Sequence, residues 1–233
     1  IKQLHSAVTT AATDMVETRG DAFYVMDLAR YDQSVNQAVN AASGLDTNYA
    51  AVYYPWVKVL DTAANKPVLV PPSVIVPGAI AASDKIGAEW FAPAGLNRGV
   101  LGNVLEAKMR LNQSERDRLY NAKVNPIATF PQTGVCIWGQ KTLQERSTAL
   151  DRINVRRLLI AVKKYIASSS RYLVFEQNTQ ATRNRFLNIV NPYLESVQQR
   201  QGLYAFRVQM DEGNNTPDVI DRNQLVGAIF LQP

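Results

Sequence analysis

The stretch Gly134–Arg157, GVCIWGQKTLQERSTALDRINVRR, decides the predicted fold of the second half of the chain. Its first residues, Gly134–Trp138, form an apolar run with β-branched residues at alternate positions, which is typical of a buried strand. Gly139 ends this run, a polar segment follows, and a periodic helix begins at Ile153. The stretch therefore predicts a strand, a loop and a helix, and we expect the Trp138 side chain to lie in the core.

The residues that precede this stretch predict an α/β fold. Ala22–Leu28 and Tyr49–Tyr54 are apolar runs typical of buried strands, and Ser34–Ala42 between them predicts a short helix with a serine N-cap. Because a helix joins the two strands, we expect a parallel pair. Ile127–Phe130 is expected to pair with Gly134–Trp138. The predicted class is α/β, with a mixed sheet and helices on its faces.

Periodicity and turn residues predict the remaining elements. The further helices are Ile1–Thr18, Ser114–Ala122, Ile153–Ser168 and Thr179–Arg200, and the further strands are Trp56–Leu60, Lys66–Pro72, Val104–Leu111, Leu203–Met210 and Leu225–Leu231. Pro77 either breaks a helix that Ser73 caps or lies in the first turn of that helix. Pro192 is expected to kink or break the last long helix. We expect two parts, residues 1–130 and 131–233, with a boundary near Phe130–Gly134.

Composition favours a protein that contacts other proteins. The chain has 233 residues, of which 46% are hydrophobic and only 19% are charged, and neutral polar residues are frequent. A surface of this kind suits repeated subunit contacts. The net charge is +5, but the basic residues are spread along the chain, with tight pairs only at Arg156-Arg157 and Lys163-Lys164. This pattern favours solvated helix faces and protein partners over nucleic acid.

The sequence contains no recognisable catalytic or metal-binding constellation, so we predict no cofactor. Cys136 lies in an apolar run and is expected to be a buried side chain, and His5, the only histidine, has no metal-ligand spacing around it. Gly95–Gly102 fits no phosphate-binding motif and predicts a plain loop. Asp211–Pro217 lacks the EF-hand pattern and predicts a turn. No apolar run is long enough to span a membrane, and no signal peptide is found.

Several segments resemble the contractile tail sheath family, most closely the sheaths of T4-type phages. In chain order they are VPPSVIVPGAIAASD (70–84), FAPAGLNRGVL (91–101), LNQSERDRLYNAKVNPIATFPQTGVCIWGQKTL (111–143), INVRR (153–157), LVFEQN (173–178) and DEGNNTPDVID (211–221). The resemblance extends over most of Tyr49–Pro233 and is densest from Leu111 to Asn178. It assigns structural roles to the motif residues Trp138, Gly139, Lys141 and Asn154.

The resemblance implies a structural virion protein with no enzymatic activity. Sheath subunits form stacked hexameric rings in a helical array around the tail tube, and contraction drives the tube through the host envelope. Extended terminal arms add strands to the sheets of neighbouring subunits. The implied partners are other copies of the subunit, the tail tube protein, and baseplate and tail terminator proteins. Nucleic acid binding and membrane insertion are not implied. The implied location is the virion, with assembly in the host cytoplasm.

Both ends of the sequence look cut, so we expect part of a longer subunit without its terminal arms and outer insertion domains. Basic side chains on the two long helices are candidates for contacts with the tube or with other subunits: Arg156, Arg157, Lys163, Lys164, Arg183 and Arg185. In an equally weighted alternative, Arg156 and Arg157 only support the Trp138 region.

Other functions stay open at this point. The sheath of a phage-derived contractile injection or secretion system would carry the same motifs. An α/β enzyme that binds a phosphorylated ligand near Arg98 or Arg156 is a hypothesis of another class, and a basic nucleic-acid-binding module is a third. Both lack the motifs expected of them.

Overall fold

The computed structural model describes the backbone of residues 2–233 and the side chains of residues 6–233, so the His5 side chain lies outside the described residues. The chain divides into two compact units, Ile1–Ile160 and Ala161–Pro233. The point of division, after Ile160, lies C-terminal to the hairpin near Phe130–Gly134 where we expected a boundary. In that hairpin, Ile127–Phe130 pairs with Gly134–Ile137 within one sheet of the first unit.

Seven α-helices and nine strands are found among the described residues. The helices are α1 (Lys2–Arg19), α2 (Val35–Ala42), α3 (Pro72–Ile86), α4 (Gln113–Asn121), α5 (Ile153–Ser170), α6 (Gln180–Gln199) and α7 (Pro217–Asp221). The strands are β1 (Tyr24–Met26), β2 (Ala50–Tyr54), β3 (Val57–Asp61), β4 (Lys66–Val70), β5 (Val104–Ala107), β6 (Val124–Phe130), β7 (Gly134–Ile137), β8 (Ala205–Gln209) and β9 (Ala228–Gln232). Helix α5 continues across the point where the two units divide.

The main sheet of the first unit has the strand order β1-β2-β6-β7. Strands β1, β2 and β6 are parallel, and β7 pairs with β6 in the antiparallel sense. The helical connection between β1 and β2 produces the parallel pair that the sequence predicted. Ser34 is the N-cap of α2, and the Ser34 backbone amide donates a hydrogen bond to Gln37 Oε1 at 2.9 Å. The predicted mixed α/β fold is confirmed.

Strand β2 is buried on both faces and organises the core. Its side chains alternate, so that Ala50, Val52 and Tyr54 belong to one apolar cluster and Ala51 and Tyr53 to another. A strand covered on both faces reads as a continuous apolar run, and for that reason AAVYY shows no polar alternation.

Different elements cover the two faces of β2. Leu119 of α4 packs with the alanines of α2 in the first cluster. Val76 of α3 and Val57 of β3 pack in the second, together with Ile153 at the start of α5. Burial of one such aliphatic side chain stabilises the fold by about 2 kcal/mol. The clusters therefore hold the start of α5 close to the central strands.

A second sheet of the first unit, with the order β4-β3-β5, is antiparallel. Two predictions about α3, the helix that precedes β5, are wrong: the position of Pro77 in the helix and the identity of its N-cap. The helix passes through Pro77 without a break, and since it starts at Pro72 the proline lies in the second turn, not the first. Ser73 is not its cap, because Pro71 holds the N-cap position. The Ser73 amide instead donates to Asp27 Oδ1 at 3.1 Å.

The second unit consists of the end of α5, helix α6, the short helix α7 and the antiparallel hairpin β8–β9. Buried apolar residues of α6 recur at helical spacing as Phe186, Val190, Leu194 and Val197. They form one stripe, as the sequence predicted. Helix α6 is continuous through Pro192. Along the described residues, no helix is both long enough and apolar enough to cross a membrane.

Candidate functional site

A buried asparagine organises the loop that follows β7. The Asn125 side chain, fully buried in β6, donates from Nδ2 to Val52 O at 3.0 Å and to Lys141 O at 2.8 Å. Its Oδ1 accepts from the Lys141 amide at 2.7 Å. One side chain thus bonds to three backbone groups, one in β2 and two in the loop, and its own buried polar atoms are satisfied. The GQKTL loop is held against the sheet by these bonds.

Gly139 is required where the loop crosses β6. A Cβ atom on Gly139 would lie 2.9 Å from Asn125 Oδ1, 3.0 Å from Pro126 Cδ and 3.1 Å from Asn125 Cα. Two of these atoms belong to rigid parts of the chain, so a side chain cannot be accommodated by a simple rotamer change. Further along the same loop, the Leu143 amide donates a hydrogen bond to Ala50 O of β2 at 3.1 Å.

The prediction that Trp138 is a core residue is wrong. Its side chain is 40% exposed and packs its ring against Phe130, with ring centroids 4.6 Å apart. The reason is that β7 ends at Ile137, after which the Trp138 amide donates to Pro126 O at 2.8 Å. The guanidinium group of Arg116 lies 5.3 Å from the Phe130 ring. Trp138 therefore belongs to a surface aromatic cluster with a cation beside it.

Lys141 points into a group of charged side chains. Its Nζ lies 4.4 Å from the centroid of the Tyr120 ring, while Arg152 donates to the Tyr120 hydroxyl at 2.6 Å. Burial, followed by repulsion from Arg152, lowers the pKa of Lys141, which Asp151 opposes. Lys141 is thus a charged residue with an aromatic contact and an unfavourable electrostatic environment.

Asn154, the last of the four motif residues, fixes the start of α5. Its Nδ2 donates to Trp90 O at 3.1 Å. The Ile153 amide donates to Gln140 O at 2.9 Å, so the loop and the helix are joined at adjacent residues. The motif therefore works as a junction between β6, β7 and α5.

Arg156 is buried and has no carboxylate partner among the described residues. Its guanidinium group lies 4.1 Å from the Tyr49 ring centroid and donates to the Tyr49 hydroxyl at 3.1 Å. Only 5% of the residue is exposed, and burial lowers its pKa. Arg156 contacts Tyr49 rather than the Trp138 region that the alternative prediction named.

Arg157 joins α5 to α3. Its two terminal nitrogens contact both carboxylate oxygens of Asp84, with one hydrogen bond of 2.9 Å, and it also donates to Glu89 O at 3.1 Å. The Arg157 and Asp84 side chains are 13% and 26% exposed. A bidentate, largely buried pair of this kind fixes geometry more firmly than a surface ion pair does.

The other basic candidates differ in exposure. Lys163 and Lys164 are exposed, and within the described residues neither has a hydrogen-bond or ion-pair partner. Arg183 is buried and donates to Asn178 Oδ1 and to Gln180 Oε1, both at 2.8 Å. Arg185 is exposed and lies 3.8 Å from Glu176 in a loose ion pair. The exposed set is therefore Lys163, Lys164 and Arg185.

The glycine-containing loop 95–102 does not form a phosphate cradle. The amides of Gly95 and Leu101 donate to Ile137 O and Val135 O, both at 2.9 Å, so they pair with β7. Arg98 stacks over the Phe91 ring, with its guanidinium carbon 4.9 Å from the centroid. Backbone donors that bind a phosphate must point away from the protein, whereas these point into the sheet.

A second buried asparagine closes the loop of the second unit that precedes α7. Asn215, 2% exposed, donates to Asp211 O at 3.1 Å and to Val226 O at 2.8 Å. It accepts from the Val226 amide at 2.9 Å. The predicted turn is thus internally bonded. No group of three or more possible metal-ligating side chains is found in the described part of the chain.

Sequence reasoning missed both asparagines. A signal was available for Asn125, because VNPI places one polar residue inside an apolar strand, and a buried polar side chain requires partners. Asn215 stands among other turn-forming residues in EGNNTP, so nothing in the sequence distinguishes it from its exposed neighbours. Its role depends on Val226, which the sequence pattern does not connect to it.

Comparison with known proteins identifies two family models that match this chain. The model of the phage tail sheath protein central domain matches residues 1–143, and the model of the phage tail sheath C-terminal domain matches residues 145–233. The chain is 36% identical over 202 residues to the tail sheath protein of Vibrio phage KVP40, covering 87% of this chain and 30% of that protein. Against the tail sheath protein of Enterobacteria phage T4, identity is 37% over 212 residues, covering 87% and 32%.

A solved structure is similar as well. The sheath complex of an extracellular contractile injection system, PVC, in its contracted state matches with a TM-score of 0.80 and 31% identity, over 90% of this chain and 60% of that chain. The chain spans about a third of the length of the curated relatives it matches. Since the two family models together match nearly all of its residues, the chain belongs to the phage tail sheath protein family.

Proposed function

We propose that the full-length protein is a contractile sheath subunit. It polymerises as stacked hexameric rings in a helical array around a tail tube, and contraction of the array drives the tube through the host envelope. The observation that carries this proposal is the match of both sheath domain models to this chain. The similarity to a sheath complex in its contracted state supports the mechanical part.

The role is structural rather than enzymatic. The residues that an enzyme hypothesis needed have other contacts, since Arg156 stacks on Tyr49 and Arg98 stacks on Phe91. Cys136 is fully buried, and burial raises its pKa to about 11, which disfavours a nucleophilic thiolate. These observations support a protein whose chemistry is limited to making and changing contacts.

Self-assembly uses extended arms of neighbouring copies, as the family resemblance implies. The hairpin β8–β9 is a two-stranded sheet, so each strand keeps an edge without a partner among the described residues. Such edges pair with added strands. A groove of about 770 Å³, lined by apolar residues including Phe186, Met210 and Ile229, adjoins β9 and receives side chains of an arm.

The tube contact is made by the exposed face of α5. Lys163 and Lys164 carry the unpaired charges expected of a surface that meets an acidic partner. Arg185 of α6 is a further exposed basic side chain, in a loose ion pair with Glu176. Buried Arg156 and Arg183 are excluded from this surface because their guanidinium groups are occupied within the subunit.

The remaining partners are baseplate and tail terminator proteins, and the protein is located in the virion after assembly in the host cytoplasm. The second candidate is the sheath of a phage-derived contractile injection system. The similarity to the PVC sheath favours that candidate, whereas the named phage relatives favour a phage tail.

Electron microscopy of the full-length protein, alone and with its tube protein, tests the proposal. We expect hollow, striated tubes with regular helical order, and co-assembly around the inner tube when both proteins are present. The tube protein alone is the control for smooth tubes without a sheath. A full-length protein that stays monomeric under both conditions would contradict the proposed function and reopen the ligand-binding hypothesis.

A further inference from the structure

Two tyrosines of the second unit are stacked face to face. Tyr165 of α5 and Tyr193 of α6 have ring centroids 3.7 Å apart, and their ring planes are inclined by only 13°. Paired aromatic rings in proteins usually have their centroids about 4.5–7 Å apart. Because ring carbons in contact are separated by about 3.5 Å, this short distance leaves little lateral offset, and the two rings overlap over most of their area.

Buried neighbours on each helix hold the two tyrosines in place. Val162, one turn before Tyr165, is 2% exposed, and Val190 and Leu194 on either side of Tyr193 are fully buried. The backbone at both positions is therefore anchored in the interior of the second unit. The Tyr165 side chain itself is 37% exposed, so its ring has room to turn and a dissolved reagent can reach it.

Other exposed tyrosines of the second unit lack this arrangement. Tyr172 and Tyr204 are 82% and 78% exposed, and neither contacts another aromatic ring in the part of the chain that the structure describes. They are more accessible than Tyr165 but have no second phenol beside them. A reaction between two groups that are already held together is much faster than one that waits for a chance encounter. Proximity therefore distinguishes Tyr165 and Tyr193 chemically.

We propose that Tyr165 and Tyr193 are a site of oxidative modification, at which an external one-electron oxidant joins α5 to α6 through a dityrosine cross-link. A peroxidase supplied with hydrogen peroxide is an oxidant of this class. The cross-link lies within one copy of the chain and ties together two helices of the same unit. This inference goes beyond the proposed function and does not depend on it.

The reaction balances as a two-electron oxidation of the pair. Each phenol gives one electron to the oxidant and its hydroxyl proton to water, which leaves a radical spread over the oxygen and the ring carbons beside the C–O bond. One such carbon of each ring forms the new carbon–carbon bond. The hydrogen on each bonded carbon then moves to the phenolic oxygen, which restores both aromatic rings. The protein loses two hydrogen atoms in total, and one hydrogen peroxide is reduced to two waters.

Oxidation of the dilute full-length protein with peroxidase and hydrogen peroxide, followed by trypsin digestion and mass spectrometry, tests the inference. Trypsin releases Tyr165 in peptide 165–171 and Tyr193 in peptide 186–200, because basic residues stand at positions 164, 171, 185 and 200. We expect a linked pair of these two peptides that has two hydrogen atoms fewer than the separate peptides, together with dityrosine fluorescence.

Conservative variants show whether the two phenols are responsible. Tyr165→Phe and Tyr193→Phe keep an aromatic ring at each position, so the stack is retained while one phenol is removed. Each variant should lower the yield of cross-link within one chain by about tenfold or more, whereas the control Tyr172→Phe should change it by less than about twofold.

Three results would overturn the inference. They are an oxidised wild type without the linked peptide pair, a yield that the two phenylalanine variants leave unchanged, and equal cross-linking of Tyr172 within the chain. Electrophoresis of the oxidised protein under denaturing conditions separates a link within one chain from a link between two copies. Dityrosine found only between copies would also contradict the site. Since dilute subunits are sufficient, the outcome is independent of whether the protein assembles into a sheath.

Discussion

The Asn125 side chain and the Lys141 backbone form a reciprocal pair of hydrogen bonds, with 2.7 Å from the Lys141 amide to Oδ1 and 2.8 Å from Nδ2 to the Lys141 carbonyl. The pair imitates the pairing between two strands, although Lys141 lies in a loop. It holds the backbone from which the Lys141 side chain reaches the Tyr120 ring, with Nζ 4.4 Å from the ring centroid.

Replacement of Asn125 by alanine should destabilise the fold strongly. The substitution removes three hydrogen bonds of a fully buried side chain, which involve Val52 O, Lys141 O and the Lys141 amide. We expect a loss of about 3 kcal/mol in the free energy of unfolding, measured by urea denaturation. The control is Asn36→Ala on the exposed face of α2, which should change the stability by less than about 0.5 kcal/mol. Equal effects of the two substitutions would refute the role of Asn125.

Gly139→Ala should destabilise the protein, whereas Gly78→Ala should not. The added methyl group at position 139 would lie 2.9 Å from Asn125 Oδ1, so we expect a loss of about 1–3 kcal/mol. At position 78, within α3, an added Cβ meets nothing within 4 Å, and alanine should stabilise the helix by about 0.5–1 kcal/mol. Thermal unfolding of both variants checks this, and a neutral Gly139→Ala would count against the close approach.

The Arg157–Asp84 pair should show a measurable coupling energy. The pair is bidentate and largely buried, so Arg157→Met and Asp84→Asn should each destabilise the protein. A double-mutant cycle should give a coupling of about 1–2 kcal/mol, whereas the exposed Arg19–Asp21 pair should give less than about 0.5 kcal/mol. A coupling for Arg157 no larger than that of the exposed pair would contradict the structural role.

Alkaline pH should destabilise the protein through Cys136. Burial raises the pKa of this thiol from its ordinary value of 9.0 to about 11, so the folded state favours the neutral form. The stability that depends on the neutral thiol is complete below pH 9.0 and is lost as the pH rises toward about 11. Urea denaturation of the wild type and of Cys136→Ala between these values should show a shallower decline for the variant. Parallel declines would mean that Cys136 does not contribute.

Charge reversal of Lys163 and Lys164 to glutamate should weaken sheath–tube association and make it less sensitive to salt. Both side chains are exposed and unpaired among the described residues, so the subunit itself should remain folded. The control, Lys66→Glu with Lys85→Glu, produces the same change in net charge on other exposed surfaces. Co-sedimentation with tube protein between about 0.05 and 0.5 M salt measures the effect. Unchanged binding of the α5 variant would remove this helix from the proposed tube surface.

Much of the fold could be predicted from local pattern alone. The apolar runs and helical stripes located the central strands and α6, and the helix between β1 and β2 implied their parallel pairing. The start of α4 needed the structure, because the Glu115 amide donates to Asn112 Oδ1 at 2.9 Å and makes Asn112 the N-cap, two residues before the predicted helix begins. Pro77 misled the prediction because its place in a helix depends on where that helix starts.

The sequence by itself determined the α/β class, the central hairpin and the family resemblance, because these depend on the order and spacing of residue types along the chain. Only the tertiary structure decided which basic residues are available for contacts. Arg156 and Arg157 are neighbours in sequence, yet one stacks on Tyr49 and the other pairs with Asp84. Burial and pairing depend on residues that are distant in sequence, and the spacing of residue types along the chain does not show which residues these are.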